Sequence, residues 1–370
     1  VKEDLGIRTR SAQMHLLLIL AVGFSVVYIL AGHPFLPPKY SYDEEKIAAL
    51  AREEPGIPTD KSFQIVADIY RVTGLADLPL LAGIIGFVAF CAILLFAMRA
   101  RTAARLSLVT VGIVAAVIFL GAVYLGHYAK EFFILPICAL VTMRTRRWPW
   151  DVVILIFIIL YAVFFRSYWF IVGGFYVMFR LLLLKYSPLK SMIIGSIAGL
   201  AFLSAVFVFY MGLDLDHYRM VVNDSRVDNV DAQSAIQPLT SMGGFVGGFI
   251  NALAVLASFV VPIPLVAKGQ FFYLLIVVFL MALWVRLFTA LQKSWKTSVR
   301  GGAEDPWVQR CVALLFAFTV VQSIFEPDYG SYIRHLSPLL PLMLSIVLQP
   351  SDQPKVAEEA PVDPMLNRTI

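Results

Sequence analysis

Four short polar segments interrupt an otherwise apolar sequence. They are His127-Tyr128-Ala129-Lys130-Glu131, Arg166-Ser167-Tyr168-Trp169, the stretch from Glu326 to His335, and a loop carrying Asp214, Asp216, His217, Arg219 and Arg226. Ionisable groups held against hydrocarbon are costly, so each is a functional candidate by default. Arginine grips phosphate through a planar fork and stays charged at any relevant pH. Two or three of Lys130, Arg166, Arg219 and Arg334 could therefore neutralise a pyrophosphate leaving group. Stabilising charge that develops in a transition state is commonly the largest catalytic term. A carboxylate or histidine could take the proton of an incoming sugar hydroxyl, and Glu131, Glu326, Asp328 and His335 are the candidates. Tyr168, Trp169 and Tyr332 could stack on sugar rings.

Each segment also has a structural reading. Lys130 and Glu131 could be one ion pair closing a hairpin, and Arg334 could pair with Asp328 or Glu326. Arg166 could snorkel to outer phosphates, with Tyr168 and Trp169 as an aromatic belt. His217 suits a solvated loop, and Asn251 a bond to local backbone. Asp43, Glu44 and Glu45 suit a helix N-terminus, which favours negative charge. Asp214-Leu215-Asp216 has the DxD form of metal-dependent glycosyltransferases, a spacing common by accident in an acidic loop. There is no Walker loop, no HExxH and no paired-cysteine metal spacing, so neither metal nor cofactor is expected.

The elements that must position these groups follow from composition. The chain has 370 residues, 59% hydrophobic and only 15% charged, with a mean hydropathy of +0.80. A soluble domain carries about 25% charge, and a soluble fold has too little interior for so much apolar surface. Disorder is excluded by the 13% aromatic content. Cys91, Cys138 and Cys311 sit singly in apolar runs, which suits buried thiols rather than disulfides. Apolar runs near 14–33, 78–98, 106–126, 131–143, 149–165, 168–184, 190–212, 271–291, 307–325 and 336–349 predict an all-α polytopic membrane protein of about ten spans. The segment 243–267 opens on two Gly-Gly pairs and ends Pro-Ile-Pro. It reads as re-entrant or interfacial, with an eleventh span as the alternative.

Basic residues orient these runs. Arg8 and Arg10, Arg99 to Arg105, Arg144 to Arg147, Lys185 with Lys190, and Lys293 to Arg300 are nearly free of acids. The long loops 34–77 and 213–243 hold seven basic and thirteen acidic residues, which places them outside and both termini in the cytoplasm. Within the first loop, Ser41 to Glu44 fits a capping box ahead of Ile47, Leu50 and Ala51. A second helix starts near Thr59 or Asp60, carries Phe63, Val66, Ala67 and Tyr70 at helical spacing, and stops at Gly74. Residues 1–349 thus form one membrane domain, and 350–370 a disordered cytoplasmic tail.

This layout resembles the bacterial Wzy-type polysaccharide polymerases and the related O-antigen ligases. The residues that carry the likeness are the Lys130-Glu131 hairpin, the Arg166-Ser-Tyr-Trp169 turn, and Glu326 to His335 leading into Leu336. The resemblance implies an inner-membrane glycosyltransferase that joins undecaprenyl-pyrophosphate-linked glycans on the periplasmic face. It implies periplasmic arginines at the donor, no nucleotide sugar, and membrane lipids and a chain-length regulator as partners. The 213–243 loop is shorter, and the first outer loop longer, than in many members. Two other readings stand beside it. A GT-C glycosyltransferase would use a lipid-monophosphate sugar and a first-loop acid such as Asp43 or Glu44. A lipid or solute transporter would place charges nearer the midplane.

Overall fold

The computed structural model describes residues 2–31, 42–98, 107–145, 147–226, 234–301 and 305–348. The 350–370 tail, Ser41 of the capping box, the basic residues at 99–105 and Arg146 lie outside the described residues. The chain is an all-α polytopic membrane protein. Its helices are α1 (Lys2–Ala31), α2 (Tyr42–Ala51), α3 (Lys61–Val72), α4 (Pro79–Met98), α5 (Leu108–Leu125), α6 (Leu135–Thr142), α7 (Pro149–Phe164) and α8 (Trp169–Leu183). There follow α9 (Pro188–Val206), α10 (His217–Asp224), α11 (Gly244–Val260), α12 (Ile263–Val266), α13 (Phe271–Gly301), α14 (Pro306–Phe325), α15 (Tyr329–Leu336) and α16 (Leu340–Val347). Six described helices, α1, α4, α5, α9, α13 and α14, are long and apolar enough to cross a membrane, and α7, α8 and α11 are shorter apolar helices.

Two further apolar segments are jointed. A 3-10 turn, Lys130–Ile134, runs into α6, and another, Ser337–Leu339, links α15 to α16. The two joints pack together, with the Cys138 thiol donating to the Pro338 carbonyl at 3.1 Å. The segment 243–267, expected to be re-entrant or interfacial, holds one unbroken helix from Gly244 to Val260, about 25 Å long at 1.5 Å per residue. The chain bends only afterwards, at Val261 and Pro262. Gly248 serves close packing on the 213–216 loop rather than a break, since a Cβ there would come within 2.9 Å of the Leu215 nitrogen.

Helix α14 is the axis of the bundle. Every residue from Trp307 to Ile324 is buried, as expected of a helix without a solvent- or lipid-facing side. Around it stand α6, α8, α11 and α16, which pack on it directly. At one end, α2 and α3 fold into a hairpin with its own small core of Ile47, Leu50, Ala51, Phe63, Val66, Ala67 and Tyr70 against Ala82 and Tyr128. Asp60 caps α3, accepting from the Ser62 and Phe63 amides at 2.8 and 3.0 Å. Gly74, at a φ of 73°, ends it in a left-handed turn that L side chains rarely adopt. Helices α4 and α5 touch backbone to backbone beneath this hairpin. A Cβ on Gly83 would lie 2.1 Å from the Gly126 carbonyl oxygen, so small residues set the position of the chain that leads to Lys130.

Candidate functional site

The convergence begins with Glu131, in the 3-10 turn before α6 and almost wholly buried. Its Oε1 lies 3.2 Å from Arg166 Nη2 and 3.6 Å from Arg334 Nε. It is also 3.2 Å from His335 Nε2. These groups come from three separate hairpins, as the sequence suggested. His335 is fixed from the other side, where Nδ1 and Glu326 Oε2 are 2.8 Å apart. The imidazole is therefore held between two carboxylates, Glu326 at Nδ1 and Glu131 at Nε2.

A fourth strand of the site comes from the first loop. Asp43, in the opening turn of α2, places Oδ2 3.0 Å from Arg334 Nη1 and 3.9 Å from Lys130 Nζ. Lys130 also sits 3.3 Å from the centre of the Phe63 ring on α3, a cation–π contact. Lys130 and Glu131 therefore turn to different partners, and Arg334 pairs with Asp43 and Glu131 rather than with Asp328. The α2–α3 hairpin forms a lid over this cluster. Tyr128 anchors the far end of the lid, donating to the carbonyls of Leu75 and Ala76 and packing at a tilt on Tyr70 with ring centres 4.6 Å apart. Glu44, beside Asp43, is lifted from 4.5 to about 7 by burial and by the charge of Glu45.

The remaining sequence candidates are placed elsewhere. Asp328 caps α15: Oδ1 accepts from the Ser331 amide at 2.8 Å, and Oδ2 from Ser331 Oγ and Arg226 Nη1 at 2.9 and 3.0 Å. Arg219 is buried on α10, bound to Asp216 Oδ2 at 3.0 Å and to the Ser323 carbonyl at 2.8 Å. Asp214 accepts from the Gly244 amide at the start of α11, and Asp216 from Asn251. Neither acid of the DxD triplet turns toward the other's partner. Asn251 also binds backbone atoms of Thr240, as expected. Tyr332 is buried and lies flat on Phe259, with ring centres 3.8 Å apart. Trp169 is buried edge-on to Tyr161. Tyr168 remains half-buried, 5.9 Å from the Arg166 guanidinium and stacked near Phe325.

A second polar cluster, missed in the sequence, occupies the opposite end of α7, α8 and α14. Asp151 accepts from Tyr176 Oη at 2.7 Å, Arg180 Nε at 2.9 Å and Arg310 Nη2 at 3.1 Å. Arg310 also donates to the Thr145 and Arg147 carbonyls, and Arg180 to Gln309. Arg180 and Arg310 inside apolar runs were the available signal. This cluster is closed on itself and joins three helices and a loop. The outer cluster, by contrast, leaves Arg166 Nε, Arg334 Nε and Glu326 Oε1 buried without hydrogen bonds. No protein-family model matches the chain, and neither does any curated protein or solved structure.

Proposed function

We propose that the chain is a glycosyltransferase that polymerises undecaprenyl-pyrophosphate-linked oligosaccharide repeat units at the periplasmic face of the bacterial inner membrane. Both termini are then cytoplasmic, in keeping with the basic residues at 144–147 and 185–190. The observation that carries the reading is the meeting of Arg166 and Arg334 on Glu131, with Lys130 joined to Arg334 through Asp43 and the Glu326–His335 pair alongside, at the acidic-loop end of the bundle.

In this mechanism the donor pyrophosphate lies against the Arg166 and Arg334 guanidiniums and the Lys130 ammonium. Glu131 and His335 act as one pair that takes the proton of the acceptor hydroxyl as its oxygen bonds to the anomeric carbon. The bond from that carbon to the pyrophosphate oxygen breaks, and the pair of electrons leaves with the pyrophosphate, whose charge the three cations compensate. The imidazolium, held by Glu326, returns its proton to the leaving group or to water. Glu131 sets the arginines at their spacing. Lys and Arg already offset the leaving charge, so turnover survives EDTA. A chain-length regulator is the expected protein partner.

The test is turnover of a lipid-linked oligosaccharide by purified protein with and without EDTA. In cells, deletion should leave single repeat units and no long chains. One observation favours a second reading. Asp43, the first-loop acid that a GT-C enzyme with a lipid-monophosphate donor would use, is drawn into the cluster. If Asp43→Asn is inactive while Glu131 and His335 are dispensable, that reading replaces the first.

A further inference from the structure

The charges of the outer cluster balance. Lys130, Arg166 and Arg334 supply three positive groups, and Glu131, Glu326 and Asp43 supply three carboxylates. A site so balanced has little attraction left for an incoming anion. The three acids are not equivalent, however. Glu131 and Glu326 sit in the bundle itself and are almost fully buried, whereas Asp43 arrives on the lid and keeps partial exposure. Its oxygen occupies the place, 3.0 Å from Arg334 and 3.9 Å from Lys130, that a phosphate oxygen would take.

We propose that Asp43 is a built-in stand-in for the phosphate of a pyrophosphate-bearing ligand, and that the ligand binds by displacing it, so that anion binding and release of α2 are one event. The proposal rests on the reading that the three cations serve a phosphate group. Three features support it. First, the two ends of the lid are fastened differently. The α3 end is tied by Tyr128 to the Leu75 and Ala76 carbonyls and by the Ala129 amide to Tyr70 Oη. The opening turn of α2 is joined to the cluster through the charge of Asp43. Second, Lys130 lies over Phe63 and is 3.9 Å from its carboxylate, so it can swing to a new anion while its stem stays packed. Third, the guanidinium atoms Arg166 Nε and Arg334 Nε have no hydrogen-bond acceptor, which leaves donors for a larger anion than one carboxylate. Removing Asp43 leaves the site one positive charge in excess, and that excess is what holds the ligand. Because a ligand's apparent affinity is reduced by the fraction of closed lid, anything that frees the lid must tighten binding.

The experiment titrates inorganic pyrophosphate into the full-length protein in nanodiscs and follows hydrogen exchange at 42–51 and at 61–72. A parallel arm uses a polyprenyl pyrophosphate in the disc. Tighter binding of the lipid than of the free ion assigns the membrane as the source; the reverse assigns solution. In wild type, pyrophosphate should speed exchange at 42–51 more than at 61–72. Asp43→Asn should show fast exchange at 42–51 without ligand and bind pyrophosphate about tenfold more tightly. Glu54→Gln removes the same charge from the lid surface and should do neither. Unchanged or weaker pyrophosphate binding in Asp43→Asn overturns the proposal. So does wild-type binding that leaves exchange at 42–51 untouched, or absence of binding in both forms. Binding with lid release but no turnover of a lipid-linked oligosaccharide would instead remove the polymerase reading and leave the displacement intact.

Discussion

Glu44 makes the lid sensitive to pH, and the size of the effect can be worked out. Its carboxyl is lifted from 4.5 to about 7, first by burial in the lid and then by Glu45. The closed lid therefore holds this proton more tightly than an open lid does. Below pH 4.5 both forms are protonated and the closed state bears no penalty. Closure weakens as pH rises from 4.5 through 7, and the loss is complete above that. The interval of about 2.5 pH units, at 1.36 kcal/mol each, sets a ceiling of about 3.4 kcal/mol. Glu44 is only partly buried, so screening reduces this to about 1–2 kcal/mol, or about 5- to 30-fold in the opening constant. Hydrogen exchange of the Ile47–Ala51 amides from pH 5 to 8.5, corrected for intrinsic rates, reads it directly. Wild-type protection should fall by that factor, Glu44→Gln should be flat, and Glu45→Gln should move the midpoint downward in pH. An equal fall in Glu44→Gln would refute the reasoning.

Five further outcomes are expected. Arg166→Lys and Arg334→Lys should each lose glycosyl transfer while the protein still inserts, because an ammonium cannot make the forked contact; full turnover in both would show that charge alone suffices. Glu326→Gln should slow turnover about 10²–10⁴-fold by releasing His335. Asp328→Asn should stay near the wild-type rate, since Asn caps a helix as well as Asp and the pair with exposed Arg226 is weak. Asp151→Asn leaves Arg180 and Arg310 without their shared carboxylate and should cost about 3–5 kcal/mol, read as a lowered thermal midpoint in detergent; an unchanged midpoint would deny the inner cluster its structural role. Gly83→Ala drives a Cβ into the Gly126 carbonyl and should lower that midpoint by the equivalent of about 1–3 kcal/mol, with loss of the Lys130–Asp43 contact.

The lid helices were legible because an amphipathic helix announces itself. Phe63, Val66, Ala67 and Tyr70 recur at helical spacing, and they are the residues buried. Lys130, Glu131, Arg166, Arg334 and His335 were legible as charges breaking apolar runs. Their pairings were not, because ion pairing is decided by tertiary contact. Nothing local joins Asp43 to Arg334. Glu326 and Asp328 are two residues apart and chemically alike, yet one orients His335 and the other caps α15. The difference is where α14 stops and α15 begins, since Glu326 follows the last residue of α14 and Asp328 precedes the first of α15. Arg219 looked like a phosphate ligand and is consumed by Asp216 and the Ser323 carbonyl. The inner cluster escaped notice because Arg180 and Arg310 lie inside runs whose average hydropathy is high enough to hide them.

The burial of α14 on every side bears on how the protein is made. A ribosome delivers this helix after the earlier apolar helices, so those must enter the bilayer and wait with a slot where it will lie. Until it arrives, Asp151, Arg180 and Trp169 line a gap open to lipid or to the insertion machinery. The incoming helix is poorly suited to stand alone there, since Gln309 and Arg310 lack their Arg180, Asp151 and backbone partners until it docks. Insertion and assembly cannot be separate stages for this segment. A chain released before Pro306 should be recognised by membrane quality control as unfinished, and a separately expressed 305–370 fragment should be stable only when the earlier helices are made in the same cell.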